Sequence, residues 1–254
     1  MWMEGSTSGV YRMWFQHMDI NRIPFYQYNT IIVGTGAAGL NAAVTLHKLG
    51  QKNIALITEG RYMGTSRNTG SDKQTYYKMT QCGSEPDSVR KMAKTLFEGG
   101  CVDGDIAMAE AAGSLRAFYH LVDIGVPFPF NKSGEYVGYK TDHDPLKRGI
   151  SAGPLTSKYM TECLERQAEE RGIPFFDGYQ AVRLLTEEKD GEKRAAGIIA
   201  LNKQKAASPD ERYAVFSLYG PPAGKLECIR PAYILSARQA EWGYCWRREL
   251  LQRI

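Results

Sequence analysis

The run Thr30-Ile31-Ile32-Val33-Gly34-Thr35-Gly36-Ala37-Ala38-Gly39-Leu40-Asn41-Ala42-Ala43-Val44 decides the fold of this chain. A short apolar strand runs straight into a loop of three glycines, and a helix-forming stretch carries on to Leu49 and Gly50. A second strand, Ile54-Ala55-Leu56-Ile57, follows. Gly34 permits the tight turn off the strand, Gly36 lets a pyrophosphate approach the backbone, and Gly39 lets the helix pack on a sheet. The helix start at Ala37 and Ala38 offers N–H groups and a partial positive charge to a diphosphate. Three spaced glycines alone can simply turn a chain. Set between a strand and a helix, with a second strand beyond, they specify a dinucleotide site.

The end of the second strand selects the dinucleotide. In this fold it meets the adenosine ribose about 20 residues past the glycines, usually through an acidic side chain. That point is Thr58-Glu59-Gly60, and either Thr58 or Glu59 can hydrogen-bond a ribose hydroxyl. Neither position is an arginine, although Arg61 is near, and this weighs against a 2′-phosphate and so against NADP. The chain then enters Gly64-Thr65-Ser66-Arg67-Asn68-Thr69-Gly70-Ser71-Asp72, a stretch almost without apolar residues. Such a loop suits a flavin ring edge and its ribityl-phosphate chain; the plainer reading is a solvated surface loop.

Residues 32 to 72 resemble the FAD-binding domain of the succinate dehydrogenase, fumarate reductase and aspartate oxidase flavoproteins. Thr58-Glu59-Gly60 is similar to that family's run after the second strand, and Gly64 to Ser71 to its flavin loop. Arg148 stands eight residues before Thr156, as an arginine precedes a helix-opening threonine in the family. Gln180-Ala181-Val182 is similar to the strand that passes the adenine. The resemblance runs over residues 28 to 235. It implies a Rossmann-like α/β domain of the three-layer β/β/α type with an antiparallel β meander. It implies FAD held by Gly34, Gly36, Ala37, Ala38, Gly39, Thr58, Glu59, Gly60, Thr65, Ser66, Arg67, Asn68, Thr69, Gly70, Ser71, Gln180 and Ala181. Succinate dehydrogenase and fumarate reductase subunits bind flavin covalently through a loop histidine, and Ser66 stands at about that place, so the implied FAD is non-covalent.

Length and composition set outer bounds. With 254 residues, 43% of them apolar, the chain can bury one good-sized core or one large α/β domain. The resemblance implies a complete enzyme about twice as long. The net charge of +4 belongs mostly to residues 230–254, where five arginines face two glutamates for a net +3. The body is nearly neutral and has no basic face for nucleic acid. The five cysteines, Cys82, Cys101, Cys163, Cys228 and Cys245, lack metal or disulfide spacing and fit free thiols in a reducing cytoplasm. No metal site, no membrane-spanning apolar run and no secretory signal is encoded.

Along the body the periodicity gives helices near 86–98 and 104–124, the second capped by Asp103, with Ile106, Met108, Ala109, Ala112, Leu115, Phe118, Tyr119 and Val122 as its core face. Residues 131–150 read as an exposed loop or hairpin, and a helix follows from Pro154 to Gly172. Strands are expected over 179–185, 195–201, 213–218 and 227–235, with Asp190-Gly191 as a hairpin turn and 203–212 as a polar loop. The two ends depart from this pattern. Residues 1–27 read as an N-terminal extension, those before Met18 as upstream sequence, 28–235 as the FAD-binding domain and 236–254 as an atypical tail. The family continues with a Gly-rich strand end where this chain has Ser236-Ala237-Arg238-Gln239. A truncated or frame-shifted terminus is expected there; the alternative is a native interaction segment.

The functional expectation is a flavin-dependent oxidoreductase domain that moves a hydride between flavin and a dicarboxylate-like acid, inactive as this piece. It implies a small-molecule substrate if completed and an electron-transfer partner subunit, in the cytoplasm. Arg67 and Arg148 could supply positive charge, and Asp142-His143-Asp144 is an acid/base cluster by residue type. None of these has a second indicator, so no catalytic residue is assigned. The alternatives are a non-catalytic remnant and a nicotinamide-dinucleotide-binding module, and the colour of the purified chain separates them from a flavoprotein.

Overall fold

The computed structural model describes residues 23–71, 74–81, 86–100, 102–141, 144–189, 191–204 and 212–218. The tail beyond 218, the expected strand at 227–235, all four tryptophans, and Cys82, Cys101, Cys228 and Cys245 lie outside them. The fold is mixed α/β, with parallel and antiparallel sheets. The chain threads alternately through two compact units.

The first unit takes the described parts of Met1–Val33, Gly50–Arg61 and Ile173–Ile234. Its parallel sheet has the order β2-β3-β7, built from β2 (Thr30–Val33), β3 (Ile54–Thr58) and β7 (Phe175–Asp177). Ile32 pairs with Leu56, and Leu56 with Phe175. All five residues of β3 are buried, which is why this central strand reads as an unbroken apolar run ending in threonine. The second sheet has the order β1-β10-β9-β8. It comprises β1 (Phe25–Gln27), β8 (Tyr179–Lys189), β9 (Glu192–Asn202) and β10 (Tyr213–Ser217). The expected meander is β8-β9-β10, turning at Gly191 with φ +78°. Phe25–Gln27, assigned from sequence to the extension, instead pairs in parallel with β10.

The two sheets share one core. Ile57 from β3 packs with Ile198, Ala200, Ala214 and Phe216, and the rings of Tyr26, Phe176 and Tyr179 close around them. Phe176 meets Phe216 edge-on with centroids 4.7 Å apart, and Tyr26 stacks on Phe216 at 5.0 Å. Such pairs add about 0.5–1.5 kcal/mol each beyond area burial. Gly197 is obligatory in β9: a Cβ there would lie 2.1 Å from the Phe216 carbonyl oxygen, and its φ is +154°.

The second unit takes Gly34–Leu49, Tyr62–Gly172 and a further segment outside the described residues. Its helices are α1 (Ala37–Lys48), α2 (Thr65–Asn68), α3 (Val89–Glu98), α4 (Gly104–Asp123) and α5 (Thr156–Glu170). Its antiparallel sheet, in the order β4-β6-β5, comprises β4 (Tyr76–Tyr77), β5 (Tyr139–Thr141) and β6 (Asp144–Ile150). Helices α1 and α2 both pack on α5, and α3 on α4. Asp103 caps α4 as expected, accepting from the N–H groups of Asp105 and Ile106 at 3.0 and 3.2 Å.

One expectation about this unit fails and another holds only in part. The buried face of α4 is Ala107, Ala111, Ser114, Phe118 and Leu121, whereas Ile106, Met108 and Tyr119 are exposed. Small residues let α4 approach Met92 and Ala93 of α3 closely, so the large side chains sit on its flanks. Residues 131–150, expected as an exposed loop or hairpin, contain the antiparallel pair β5–β6, but Arg148 and Ile150 of β6 are fully buried rather than exposed. Asp144 and Arg148, which look like surface charges in the sequence, pair with each other inside.

Candidate functional site

In the second unit the glycine loop and the flavin loop meet. Gly34 has φ +104°, a conformation that only glycine adopts freely. Gly36 is the N-cap of α1, no side chain of its own caps the helix, and the first turn has no acidic residue. Gly64 lies flat on this loop: a Cβ on it would sit 3.5 Å from the Gly36 Cα. Ser66 Oγ accepts from the Ala37 N–H at 3.3 Å. Gly39 is buried in the helix beneath, with Leu40, Ala43 and Val44. A carboxylate-free helix start whose own N-cap residue has no side chain, with Ser66 taking only the Ala37 N–H, suits an anionic diphosphate.

The stretch from Gly64 to Ser71 is partly helical, a feature its hydroxyl-rich sequence did not suggest. Asn68 Nδ2 donates to the carbonyls of Tyr62 at 2.6 Å and Gly64 at 3.0 Å, and Thr69 Oγ1 donates to Thr65 at 2.7 Å. These local bonds wind α2 as a single turn. Beyond it the Ser71 N–H donates to Pro154 at 3.1 Å, and Gly70 lies against Leu155. Gln74 Oε1 accepts from both the N–H and the hydroxyl of Ser157 at 2.9 Å. The loop is thereby tied to the start of α5, which Thr156 opens as expected.

Arg67 leaves the same turn inward. Its guanidinium donates to Glu162 at 3.4 Å and to Glu165, and it lies over the Tyr62 ring at 4.8 Å. Its Nε is buried and has no partner in the protein, an orphaned donor within the loop. A cofactor acceptor would satisfy it.

Arg148 is far more enclosed. It donates to Asp87 through Nε at 2.8 Å and Nη2 at 2.6 Å. Its Nη1 donates to Asp144 and Thr95, both at 3.0 Å, and to the Tyr77 hydroxyl at 3.1 Å. Tyr77 in turn donates to Asp144. Burial and the bond to Asp144 push Tyr77 up to about 12. Burial pushes the Asp87 carboxyl up, but the Arg148 bonds and two backbone N–H groups outweigh it and hold the carboxyl below its ordinary range. Both arginines proposed as sources of positive charge are thus already matched by carboxylates. Asp144 is equally a structural partner rather than an acid/base; Asp142 and His143 lie outside the described residues.

The residues expected to meet the adenosine lie in the first unit, at the C-terminal ends of β3 and β7, where open α/β sheets bind ligands. Thr58 is buried and its hydroxyl donates to the Gly60 carbonyl at 3.2 Å. Glu59 is exposed and pairs with Lys203 at 3.1 Å. The Arg61 N–H donates to Asp177 Oδ1 at 2.8 Å while its guanidinium lies 4.2 Å from the Phe175 ring centroid. Gln180 and Ala181 are paired with Leu201 and Ala200, and the side chain of Ala181 packs on the core, so only its backbone could serve a ligand. Lys203 and Asp177 were missed from the sequence. Lys203 lies 144 residues from Glu59, and no local pattern links them.

Among the described residues no group of side chains could hold a metal ion, and no helix is long and apolar enough to cross a membrane. Cys163 is buried with a free thiol.

Known proteins are similar to this chain in sequence and in fold. L-Aspartate oxidase of Pseudomonas aeruginosa is 29% identical over 195 residues, 70% of this chain and 34% of that protein. The 8-methylmenaquinol:fumarate reductase flavoprotein subunit of Wolinella succinogenes is 33% identical over 179 residues, 69% of this chain and 29% of that one. The chain therefore spans about a third of the length of these relatives. In fold it is similar to Mycobacterium smegmatis Sdh1 in complex with UQ1, with TM-score 0.65 and 16% identity over 77% of this chain and 33% of that. It is also similar to the open conformation of a flavocytochrome c3 fumarate reductase, with TM-score 0.62 and 17% identity over 85% of this chain and 36% of that. The sequence pattern of the FAD binding domain matches residues 29–216, so the chain belongs to that family, and FAD is its cofactor.

Proposed function

We propose that this chain forms the cofactor-binding part of an oxidoreductase that moves a hydride between non-covalent FAD and a dicarboxylate-like substrate. The observation that carries the reading is the start of α1, free of acidic residues, without a cap from its own N-cap Gly36, and met by Gly64 and Ser66. The N–H groups there would hold the diphosphate, Glu59 the ribose, and the turn at Thr65–Asn68 with Thr69, Gly70 and Ser71 the flavin end. FAD, when bound, supplies the hydride acceptor or donor. The chain's own residues would bind and orient it.

The non-covalent state rests on Ser66, whose hydroxyl has no ring nitrogen for an 8α-histidyl bond. The dicarboxylate class and an electron-transfer partner subunit rest on the named activities of the relatives. Arg67 and Arg148 are neutralised by carboxylates, so neither is assigned to substrate. Turnover would draw on protein beyond the third that this chain matches.

The test is a flavin titration followed by fluorescence quenching. Gly36→Val puts a branched side chain where the diphosphate must lie, and FAD binding should collapse. A Gly36→Val chain that is still folded by circular dichroism and binds FAD as the parent does would place the diphosphate elsewhere.

A further inference from the structure

We propose that Lys203 is a positioning residue that holds Glu59 for the adenosine ribose, where the Glu59 carboxylate selects a free 2′-hydroxyl over a 2′-phosphate. The inference rests on the FAD reading above and adds to it a residue from the far end of the meander.

Three segments separated in sequence are knitted at this place. Asp177 Oδ1 accepts from the N–H groups of Arg61 and Gly178 at 2.8 and 2.9 Å. The Lys203 N–H donates to the Gly178 carbonyl at 2.8 Å, and Asn202 Oδ1 accepts from the Gln204 N–H at 2.9 Å. Gly178 has φ +81°, and the Gln204 side chain fills the space where its Cβ would project. The backbone of Lys203 is thus fixed to the end of β7, and its Nζ reaches Glu59 Oε2 at 3.1 Å. Glu59 keeps 40% of its side chain exposed and Lys203 keeps 47%, so a ligand can still reach the carboxylate.

The arrangement has a chemical consequence. A carboxylate accepts from the ribose hydroxyls and repels a phosphate in their place. A lysine alone at this position would do the reverse and attract the 2′-phosphate. Lys203 holds the Glu59 carboxylate in place, and the two opposite charges offset one another. Glu59 is therefore the discriminator, and Lys203 is a cation that becomes available to a 2′-phosphate when Glu59 is replaced by glutamine. Arg61 does not compete for this role, because its guanidinium lies on the Phe175 ring.

The experiment measures binding of ADP, of 2′-phospho-ADP, of FAD and of FMN to the 254-residue chain by calorimetry and fluorescence quenching. The parent should bind ADP more tightly than 2′-phospho-ADP. Lys203→Ala should weaken ADP and FAD by about twofold to fivefold, the range of a half-exposed ion pair, and leave FMN unchanged because FMN has no adenosine. Lys203→Arg should restore ADP binding. Glu59→Gln should reverse the order of the two adenosine ligands, and Lys203→Ala on top of Glu59→Gln should weaken only 2′-phospho-ADP. An ADP affinity unmoved by Lys203→Ala, or an equal loss for FMN, overturns the role of Lys203 while leaving the FAD reading intact. A parent chain that binds neither FAD nor ADP overturns both.

Discussion

Arg148 grips Asp87 through two parallel hydrogen bonds, and both side chains are 1% exposed. The pair, with Asp144 on the other side, is a fixed charge arrangement in the second unit rather than a substrate anchor.

Replacing Arg148 by Met should therefore act on stability. Two buried carboxylates would be left without their cation, a loss of about 3–5 kcal/mol. Denaturant unfolding of the purified chain reads this. Adding Asp87→Asn and Asp144→Asn should recover part of the loss, and a single variant as stable as the parent would show that the network contributes little. Lys at this position should not substitute, because it lacks the planar fork that meets Asp87 at two points.

The Gly197→Ala variant tests the β9–β10 register. The new Cβ would meet the Phe216 carbonyl oxygen at 2.1 Å, a main-chain atom that cannot move without disturbing the strand pair. A loss of about 3 kcal/mol is expected. Gly191→Ala, with open space around it but φ +78°, should cost only the left-handed backbone strain of about 1–2 kcal/mol. Equal midpoints for the two variants would refute the clash.

These two sites show what the chain pattern could and could not give. The three glycines, the apolar runs of β2 and β3 and the acidic step at Glu59 are local, so strand, loop and helix were legible from spacing alone. So were the three meander strands β8, β9 and β10, with the turn at Gly191. The role of Arg148 was not. Its partners Asp87, Tyr77 and Thr95 lie 53 to 71 residues away, and a buried charge looks in sequence like an exposed one. The buried face of α4 misled for a related reason: closeness to α3 favoured Ala107 and Ala111 over the larger residues that hydrophobicity ranks first.

His120 gives a pH dependence. Burial first, then the Lys48 ammonium that donates to Nδ1 at 3.1 Å, hold its imidazolium form below the ordinary value, with Arg171 adding to the shift and Asp123 opposing it. Its folded pKa lies under the unfolded value of about 6.5, so the unfolded chain binds the proton first as pH falls. The stability it contributes is present above about 6.5 and is lost as pH drops through the lower folded value. Proton NMR of the His120 ring should titrate below the model histidine, and Lys48→Met should move that midpoint upward. A midpoint insensitive to Lys48 would remove the charge as a cause.

Flavin release offers a test independent of affinity. Acid precipitation of the yellow chain should leave the colour in the supernatant, because Ser66 offers no ring nitrogen for attachment. Colour retained by the pellet would mean a covalent link through another residue.

The pairing of β1 with β10 has a kinetic consequence. Phe25 lies beside Val215, and the order β2-β3-β7 requires Phe175 beside Leu56. Each unit is stitched from pieces that the chain leaves and re-enters. On the ribosome, then, the nascent first unit holds an open sheet edge until about residue 217 has emerged, and closing it is a long-range step of the kind that slows folding. Chaperone dependence during synthesis should accordingly exceed that of a helical protein of equal length.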